Sequence, residues 1–204
     1  GRTAIFFPRN TGREFIQFYL TAAVIRLFGT GASFLSLKIG TAIAGLITLV
    51  YIYLLGKEIA NREVGLWAAA FAAVAYWPNV ITRIALRFSL YPLFVAPVFY
   101  HLFRGIRRSS LNDFLLAGLF LGLGLNGYSS FRIVPFVVTA AVLVYLLHWE
   151  SRGRRQETLL RFVLLASAAF LDFLPLLRYA LENPEMFAYR AFTRLGSWER
   201  PLPG

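Results

Sequence analysis

The sequence predicts an all-α integral membrane protein with about six transmembrane helices and one amphipathic juxtamembrane helix near the N-terminus. Of its 204 residues, 58% are hydrophobic and only 15% are charged, whereas soluble domains average about 45–50% apolar and about 25% charged residues. The apolar residues are gathered in long runs, and the charges fall in the short gaps between them. None of the runs alternates with the period of two that a transmembrane β-barrel requires.

The first element is a predicted amphipathic helix in REFIQFYLTAAVIRLFG, residues 13–29. Glu14, Gln17 and Thr21 recur at helical spacing on one face, and aromatic or aliphatic side chains occupy most of the rest. A helix of this kind is suited to lying in the membrane interface rather than to crossing the bilayer. Gly29 then ends it.

Six apolar runs follow, at or near the roughly 17–25 residues that a bilayer-spanning helix needs. They cover residues 33–55, 64–81, 89–104, 112–127, 133–149 and 158–177. We therefore expect a single transmembrane module over 1–204, with an external loop and juxtamembrane helix at 1–31, a six-helix bundle at 32–178 and an external segment at 179–204. The chain starts GRTAIFFPRN, without a signal-peptide pattern, and we expect it to be an internal piece of a longer protein.

The charge and the absent motifs narrow the function classes. The formal net charge is +11, and the arginines lie between apolar runs, which favours anionic lipid or phosphate ligands over nucleic acid. The sequence has no cysteine, so disulfides, cysteine-based metal sites and cysteine nucleophiles are excluded. It also lacks the HExxH and serine-triad motifs. No cofactor is predicted with certainty, and a divalent metal is left open.

The orientation is predicted from how the basic residues are grouped, because their totals on the two sides are close. GIRR at 105–108 and SRGRR at 151–155 are tight clusters in short gaps, as cytoplasmic loops usually are. The opposite side carries single, spaced arginines beside aromatic and hydroxyl side chains. We place the clusters inside and the spaced arginines outside, where a phosphate-bearing ligand would account for them.

Three of the spaced arginines are candidates to bind that ligand. Arg83 and Arg87 are four residues apart, so they share a face if one helix contains both. Arg132 lies in the polar stretch YSSFR, between two apolar runs. Arginine binds phosphate through forked, charge-assisted hydrogen bonds. The alternative is that these side chains only reach from helix ends to lipid headgroups.

For each of the remaining ionisable residues near apolar runs a structural explanation is at hand, and for Asp172 it stands beside a functional one. Asp172 lies inside an apolar run, where an acid is costly and marks a functional site by default. Arg178 is close enough along the chain to pair with it. Glu14 alone is explained by its place near a helix N-terminus, where negative charge is favoured. His101 and His148 stand singly at the inner ends of predicted spans, and we interpret both as structural.

The order of these parts resembles the GT-C superclass of membrane glycosyltransferases. It is most similar to the family 39 group, which includes the protein O-mannosyltransferases and the bacterial lipid A aminoarabinose transferases. The similar stretches are residues 10–29, residues 37–87, and FLLAGLFLGLGLNGYSSFRIVPF at 114–136. In the family these correspond to the juxtamembrane helix, to two spans joined by a cytoplasmic turn, and to an ascending helix with a Tyr-Ser-Ser-x-Arg-like external turn. The resemblance extends over roughly residues 5–195.

The resemblance implies transfer of a hexose or pentose from a polyprenyl-phosphate donor to an acceptor on the external face. The acceptor is a protein, lipid or glycan that the sequence does not specify, and the localisation implied is a multi-pass protein of the bacterial cytoplasmic membrane. The family's general base is an acid directly after its first span, so we expect it upstream of Gly1 and this piece alone to be inactive. Glu14 departs from the Lys-Pro-Pro form of the family motif. The implied substrate-binding residues are Arg13, Glu14, Arg83, Arg87, Tyr128 and Arg132.

Two other classes remain open from the residues themselves. A transporter or lipid flippase could gather an anionic substrate with the same external arginines, and a non-catalytic membrane scaffold is the third possibility. Transporters often contain helices broken near the bilayer centre and internal repeats. The sequence shows neither pattern, which favours the glycosyltransferase.

Overall fold

A computed structural model describes the backbone of residues 6–7 and 13–184 and, of these, the side chains of residues 15–149 and 151–184. Within these residues the chain forms two short strands, eight α-helices and three 3-10 helices. The strands β1 (Phe6–Phe7) and β2 (Arg13–Glu14) pair antiparallel. The α-helices are α1 (Ile16–Phe28), α2 (Phe34–Ile59), α3 (Arg62–Val74), α4 (Tyr76–Arg83), α5 (Leu90–Arg108), α6 (Leu111–Leu125), α7 (Val134–Leu147) and α8 (Arg155–Glu182). The 3-10 helices are Arg87–Ser89, Ser129–Ile133 and Trp149–Ser151.

The predicted all-α membrane fold class is confirmed, and the number of complete spans is smaller than predicted. All six apolar runs are largely helical, yet in the described part of the chain only α2, the unit Ser129–Leu147 and α8 are long and apolar enough to cross a membrane. The bent pair α3–α4 makes a fourth if it counts as one span. Helix α6 has 15 residues, about 22 Å at 1.5 Å per residue, which is short of a hydrocarbon core about 30 Å thick. Helix α5 is long enough but ends in a cluster of arginines.

The predicted run 64–81 is divided by a bend of 55° between α3 and α4. Pro78 causes the break, because proline has no N–H to donate to the carbonyl of Val74 and its ring crowds that carbonyl. The side-chain Nδ2 of Asn79 donates instead to the carbonyls of Ala73, at 2.6 Å, and Ala75, at 2.9 Å. The apolar pattern predicts no broken helix, and for this run that prediction is wrong.

Helix α6 packs between α5 and α8 and forms the centre of the bundle. Glycines on α6 allow the close approach to α8: a Cβ on Gly122 would lie 2.8 Å from the Ala169 carbonyl oxygen, and one on Gly118 would collide with the carbonyl of Leu165. The hydrophobic core around them includes the fully buried side chains of Phe114, Phe131, Leu102 and Val138. This core holds the ends of α5, α6 and α7 in fixed relative positions.

Helix α1 forms where the amphipathic helix is predicted and ends at Gly29, which has a left-handed φ of 63°. Its apolar face contacts α2 through Leu20 and Val24, which approach the backbone of Gly40. Its other anchor is a hydrogen bond from Gln17 Nε2 to the carbonyl of Ala85, 3.2 Å away. The interfacial location of α1 stays a prediction, as do the external and membrane boundaries assigned to residues 1–31, 32–178 and 179–204.

Candidate functional site

A cavity of about 820 Å³ opens at one end of the bundle, between α2, α3, α4, the 3-10 helix Arg87–Ser89, α5 and the 3-10 helix Ser129–Ile133. Its lining is mainly apolar. Along α2 the lining residues extend from Ala42 to Ile52, about 15 Å of helix. The polar or charged side chains in the lining are Thr48, Asn79, Thr82, Arg83, Ser89, Tyr91, Tyr128 and Ser130.

Arg83 lines this cavity, whereas Arg87 is not in the lining and contacts the ring of Tyr128, which is; the two arginines are not on one helix. Helix α4 ends at Arg83, and Ala85 takes a left-handed φ of 59°, which is rare for a residue other than glycine. The prediction that the two arginines share a helical face is therefore wrong. Arg83 is exposed and lines the cavity, and Arg87 begins the next short helix.

Tyr128 joins the turn that follows α6 to the segment that carries Arg87 and Phe88. It lines the cavity, and the guanidinium carbon of Arg87 lies 5.5 Å from the centre of its ring, within the range of a cation–π interaction. Phe88 packs edge-to-face against the same ring at 5.1 Å. The ring of Tyr128 is thus held between a cation and an aromatic side chain at the edge of the cavity.

The turn that follows α6 is fixed from below by Asn126. Its side-chain Nδ2 donates to the carbonyls of Gly122, at 2.9 Å, and Asp172, at 3.1 Å. Phe131 is fully buried against Gly124, which has no Cβ to obstruct it. These contacts explain the polar stretch between two apolar helices: Asn126 ties the turn to α8, Phe131 anchors it in the core, and the hydroxyl and aromatic side chains between them line the cavity.

Arg132 lies in the same 3-10 helix as Ser130 but is not part of the cavity lining. It is half-buried, and its side chain has interactions within the protein. The structure therefore places Arg83 and Tyr128 in the cavity lining and Arg87 against Tyr128, whereas Arg132 is outside the lining. The side chains of Arg13 and Glu14 lie outside the described residues.

The segment that carries Arg83 is held by two long-range hydrogen bonds. Thr41 on α2 is buried and donates through Oγ1 to the carbonyl of Thr82, at 2.8 Å. Gln17 on α1 donates to the carbonyl of Ala85. Because the last carbonyls of a helix lack intrahelical partners, these side chains complete the C-terminus of α4. They place Arg83 at the mouth of the cavity.

For Asp172 the sequence leaves two alternatives, a functional role or an ion pair with Arg178. Arg178 pairs instead with Glu182, with 2.8 Å between Nε and Oε1. Within the described residues the Oδ2 atom of Asp172 is buried without a hydrogen-bond partner. It lies against Gly122 of α6, away from the residues that line the cavity.

His101 belongs to a separate buried cluster at the other end of the bundle, which agrees with a structural role. Its Nδ1 lies 2.9 Å from Oδ1 of Asp113, and both residues are buried. Arg104 approaches the second carboxylate oxygen of Asp113 at 3.5 Å and donates to the hydroxyl of Tyr100 at 2.7 Å. Among the described residues no group of three or more His, Cys, Asp or Glu side chains could hold a metal ion, so the divalent metal remains an open expectation.

Several cavity residues were not predicted from the sequence. Trp77, Asn79, Phe88 and Ser89 all line it. The only local signal was Pro78, which predicts a helix break and therefore a place where backbone and polar side chains become accessible. The contributions of α2, such as Thr48, depend on tertiary packing alone.

Comparison with known proteins gives the family of the chain. Residues 14–179 match the family model described as dolichyl-phosphate-mannose-protein mannosyltransferase. No curated protein and no solved structure shows a significant match. The matched region contains the cavity, the turn at Tyr128 and every described helix that lines them, and it confirms the resemblance found in the sequence. The chain is an integral membrane protein, and it belongs to the dolichyl-phosphate-mannose-protein mannosyltransferase family of membrane glycosyltransferases.

Proposed function

We propose that the protein transfers a sugar from a polyprenyl-phosphate donor to an acceptor on the external face of the membrane, and that the cavity at Tyr128 holds the donor. The family supports a mannosyltransferase-type glycosyltransferase in general. The shape and chemistry of the cavity support the donor and the residues that bind it, and the distribution of arginines supports the external face.

The observation that carries the proposal is the combination of a long apolar cavity with a cationic and aromatic mouth. The apolar walls come from α2, α3 and α5, whereas Arg83 ends α4, and Tyr128 and Ser130 lie between α6 and α7. A ligand that fits such a site is an amphiphile with a hydrocarbon chain and an anionic, hydroxyl-rich head. A polyprenyl-phosphate sugar has this chemistry.

The arginines have a defined role in such a transfer. An acceptor hydroxyl oxygen attacks the anomeric carbon, the bond from that carbon to the phosphate oxygen breaks, and the polyprenyl phosphate leaves with the electron pair. Fixed cations near the departing phosphate stabilise the charge that develops there. Arg83 and Arg87 are the first candidates, Arg132 and Arg13 are further candidates, and Tyr128 is placed to contact the sugar. The acceptor proton goes to a general base, and the role of Glu14 stays a prediction.

The external orientation is supported by the distribution of arginines between the two ends of the bundle. The tight clusters at 105–108 and 151–155 lie at the end opposite Arg83. Thr82, next to Arg83, contacts Thr41 in the first third of α2, whereas Glu58 near the end of α2 contacts Arg107 and lines a pocket with Arg154. Clusters of this kind in short loops favour the cytoplasmic side. We therefore place the cavity outside, in a protein of the bacterial cytoplasmic membrane.

Transfer assays with matched arginine variants test the proposal. Membranes containing the gene product that includes residues 1–204 are supplied with radiolabelled polyprenyl-phosphate sugars and with candidate protein, lipid and glycan acceptors. We expect Arg83→Ala and Arg87→Ala each to lower transfer roughly 100-fold, as the loss of a transition-state donor does. Arg26→Ala is the control, because Arg26 is an exposed arginine on α1 that does not line the cavity. An equal loss in all three variants, at equal protein levels, contradicts the proposed phosphate site.

The second candidate is a transporter or flippase, and the bend between α3 and α4 is the observation that favours it. Broken helices that line a substrate site are typical of transporters, and Ala73 and Asn79 on the two sides of this bend both line the cavity. The two functions differ in their products. An enzyme forms a new glycosidic bond and releases polyprenyl phosphate, whereas a flippase returns the labelled donor unchanged in the other leaflet.

A further inference from the structure

A second cavity of about 500 Å³ lies at the opposite end of the bundle from the candidate donor site. It is formed by the C-terminal ends of α2, α5 and α7 and by the segment that leads into α8. Helix α2 separates the two cavities along its length: its residues 42–52 line the first, and Glu58 lines the second. The second cavity is therefore not an extension of the first.

Two arginines, Arg107 and Arg154, line this cavity, and Arg108 lies next to Arg107, where both contact the carboxylate of Glu58. Arg107 and Arg108 share Glu58, with N–O distances of 3.6 Å to Oε1 and 3.4 Å to Oε2. The Glu58 side chain is 9% exposed, whereas those of Arg107 and Arg108 are 60% and 57% exposed. One carboxylate neutralises only one of the two cations, and it does so from the buried side. Their outer faces remain accessible to an anion.

Arg154, in the segment directly before α8, also lines the cavity. It is exposed, and no acidic side chain among the described residues pairs with it. The cavity is thus bordered by cations from two separate elements, the end of α5 and the segment before α8. Among the described side chains this arrangement leaves a local excess of positive charge.

The rest of the lining is apolar or amphipathic. Ile59, Phe103, Ile106 and Tyr145 complete the wall. A tyrosine with an apolar body and a polar tip is common where hydrocarbon meets water. Nearby, the Arg152 guanidinium stacks on the exposed ring of Trp149 at 3.3 Å, a second aromatic residue suited to the headgroup region. An arginine-bordered pocket with hydrocarbon walls matches a ligand that is anionic at one end and apolar at the other.

We infer that this second cavity binds the phosphate headgroup of an anionic phospholipid, with Arg107 and Arg154 as the contacting cations and Phe103 and Ile106 against the acyl chains. Basic pockets between transmembrane helices at the headgroup level are a known way to hold such lipids. The inference does not depend on the proposed donor site, because the two cavities share no lining residue.

The test measures lipid binding rather than activity. The gene product that contains residues 1–204 is purified in an uncharged detergent and titrated with phosphatidylglycerol, phosphatidylcholine or inorganic phosphate. Bound lipid is counted by native mass spectrometry and confirmed by the shift in Tm. The variants are Arg154→Gln and Arg107→Gln. The matched control is Arg62→Gln, because Arg62 is an exposed arginine at the same end of the bundle that does not line the cavity.

We expect wild type and Arg62→Gln to retain phosphatidylglycerol in preference to phosphatidylcholine. Each cavity variant should bind it about fivefold more weakly, the factor that corresponds to about 1 kcal/mol per arginine near a membrane surface. An equal loss in Arg62→Gln would show that only overall charge matters and would overturn the inference. A full Tm shift with inorganic phosphate alone would overturn the lipid assignment, and unchanged binding in both cavity variants would overturn the site.

Discussion

Replacing Gly122 with alanine tests the contact between α6 and α8 that supports the turn at Tyr128. A Cβ on Gly122 would lie 2.5 Å from Asp172 Cβ, 2.8 Å from the Ala169 carbonyl oxygen and 3.0 Å from Asp172 Oδ2. Carbon atoms in good contact lie about 3.5–4.0 Å apart, so the two helices must separate by about 1 Å. The backbone of α8 cannot rotate away as a flexible side chain can.

We expect Gly122→Ala to destabilise the protein by about 1–3 kcal/mol, the usual cost of overpacking, and to lower Tm by roughly 2–12 °C. The separation also lengthens the hydrogen bond from Asn126 to the Asp172 carbonyl, which is 3.1 Å in the native protein. Thermal unfolding in detergent measures the effect. Gly153→Ala is the control, because no atom lies within 4 Å of a Cβ at that position. Equal Tm values for the two variants would refute the reasoning.

Three further outcomes are expected. Asp113→Asn removes the charged partner of buried His101 and should cost about 3 kcal/mol in a thermal unfolding assay, whereas an unchanged Tm would contradict a structural pair. Ala73→Trp fills the cavity and should abolish sugar transfer without changing Tm. Val74→Trp is the control and should keep transfer, because Val74 is exposed and does not line the cavity. Equal activity of the two variants would argue against the cavity as the donor site. Thr41→Val removes the hydrogen bond to the Thr82 carbonyl at the end of α4 and should lower the free energy of unfolding by about 1 kcal/mol and also lower sugar transfer. A wild-type Tm and transfer rate would show that this contact is dispensable.

The helices could be predicted because each long apolar run has to satisfy its backbone hydrogen bonds within itself in a membrane. The residues at which the helices begin and end were less predictable. The run 158–177 lies within α8, which extends from Arg155 to Glu182, since charged side chains at the ends can remain helical and reach water. The break near Pro78 is predictable in principle, because proline interrupts a helix, although the apolar run around it predicts a continuous span.

The site was only partly predictable, because its geometry depends on one unusual backbone position and on distant contacts. The left-handed Ala85 separates Arg83 from Arg87, and alanine gives no local signal for that conformation. The bond from Asn126 to the carbonyl of Asp172 joins residues 46 positions apart. The sequence therefore indicated the arginines and Tyr128 as candidates, whereas the walls of the cavity follow from packing.

Photo-crosslinking from inside the cavity tests the central claim most directly. A benzophenone side chain replaces Leu49, which lines the cavity, or Val50, which neighbours it on α2 and is 56% exposed outside the lining. Membranes then receive a radiolabelled polyprenyl-phosphate sugar, with and without excess unlabelled donor. At position 49 we predict a labelled adduct that excess unlabelled donor suppresses. At position 50 we predict only background labelling, which excess unlabelled donor does not change. Equal, unsuppressed labelling at both positions would contradict the donor site.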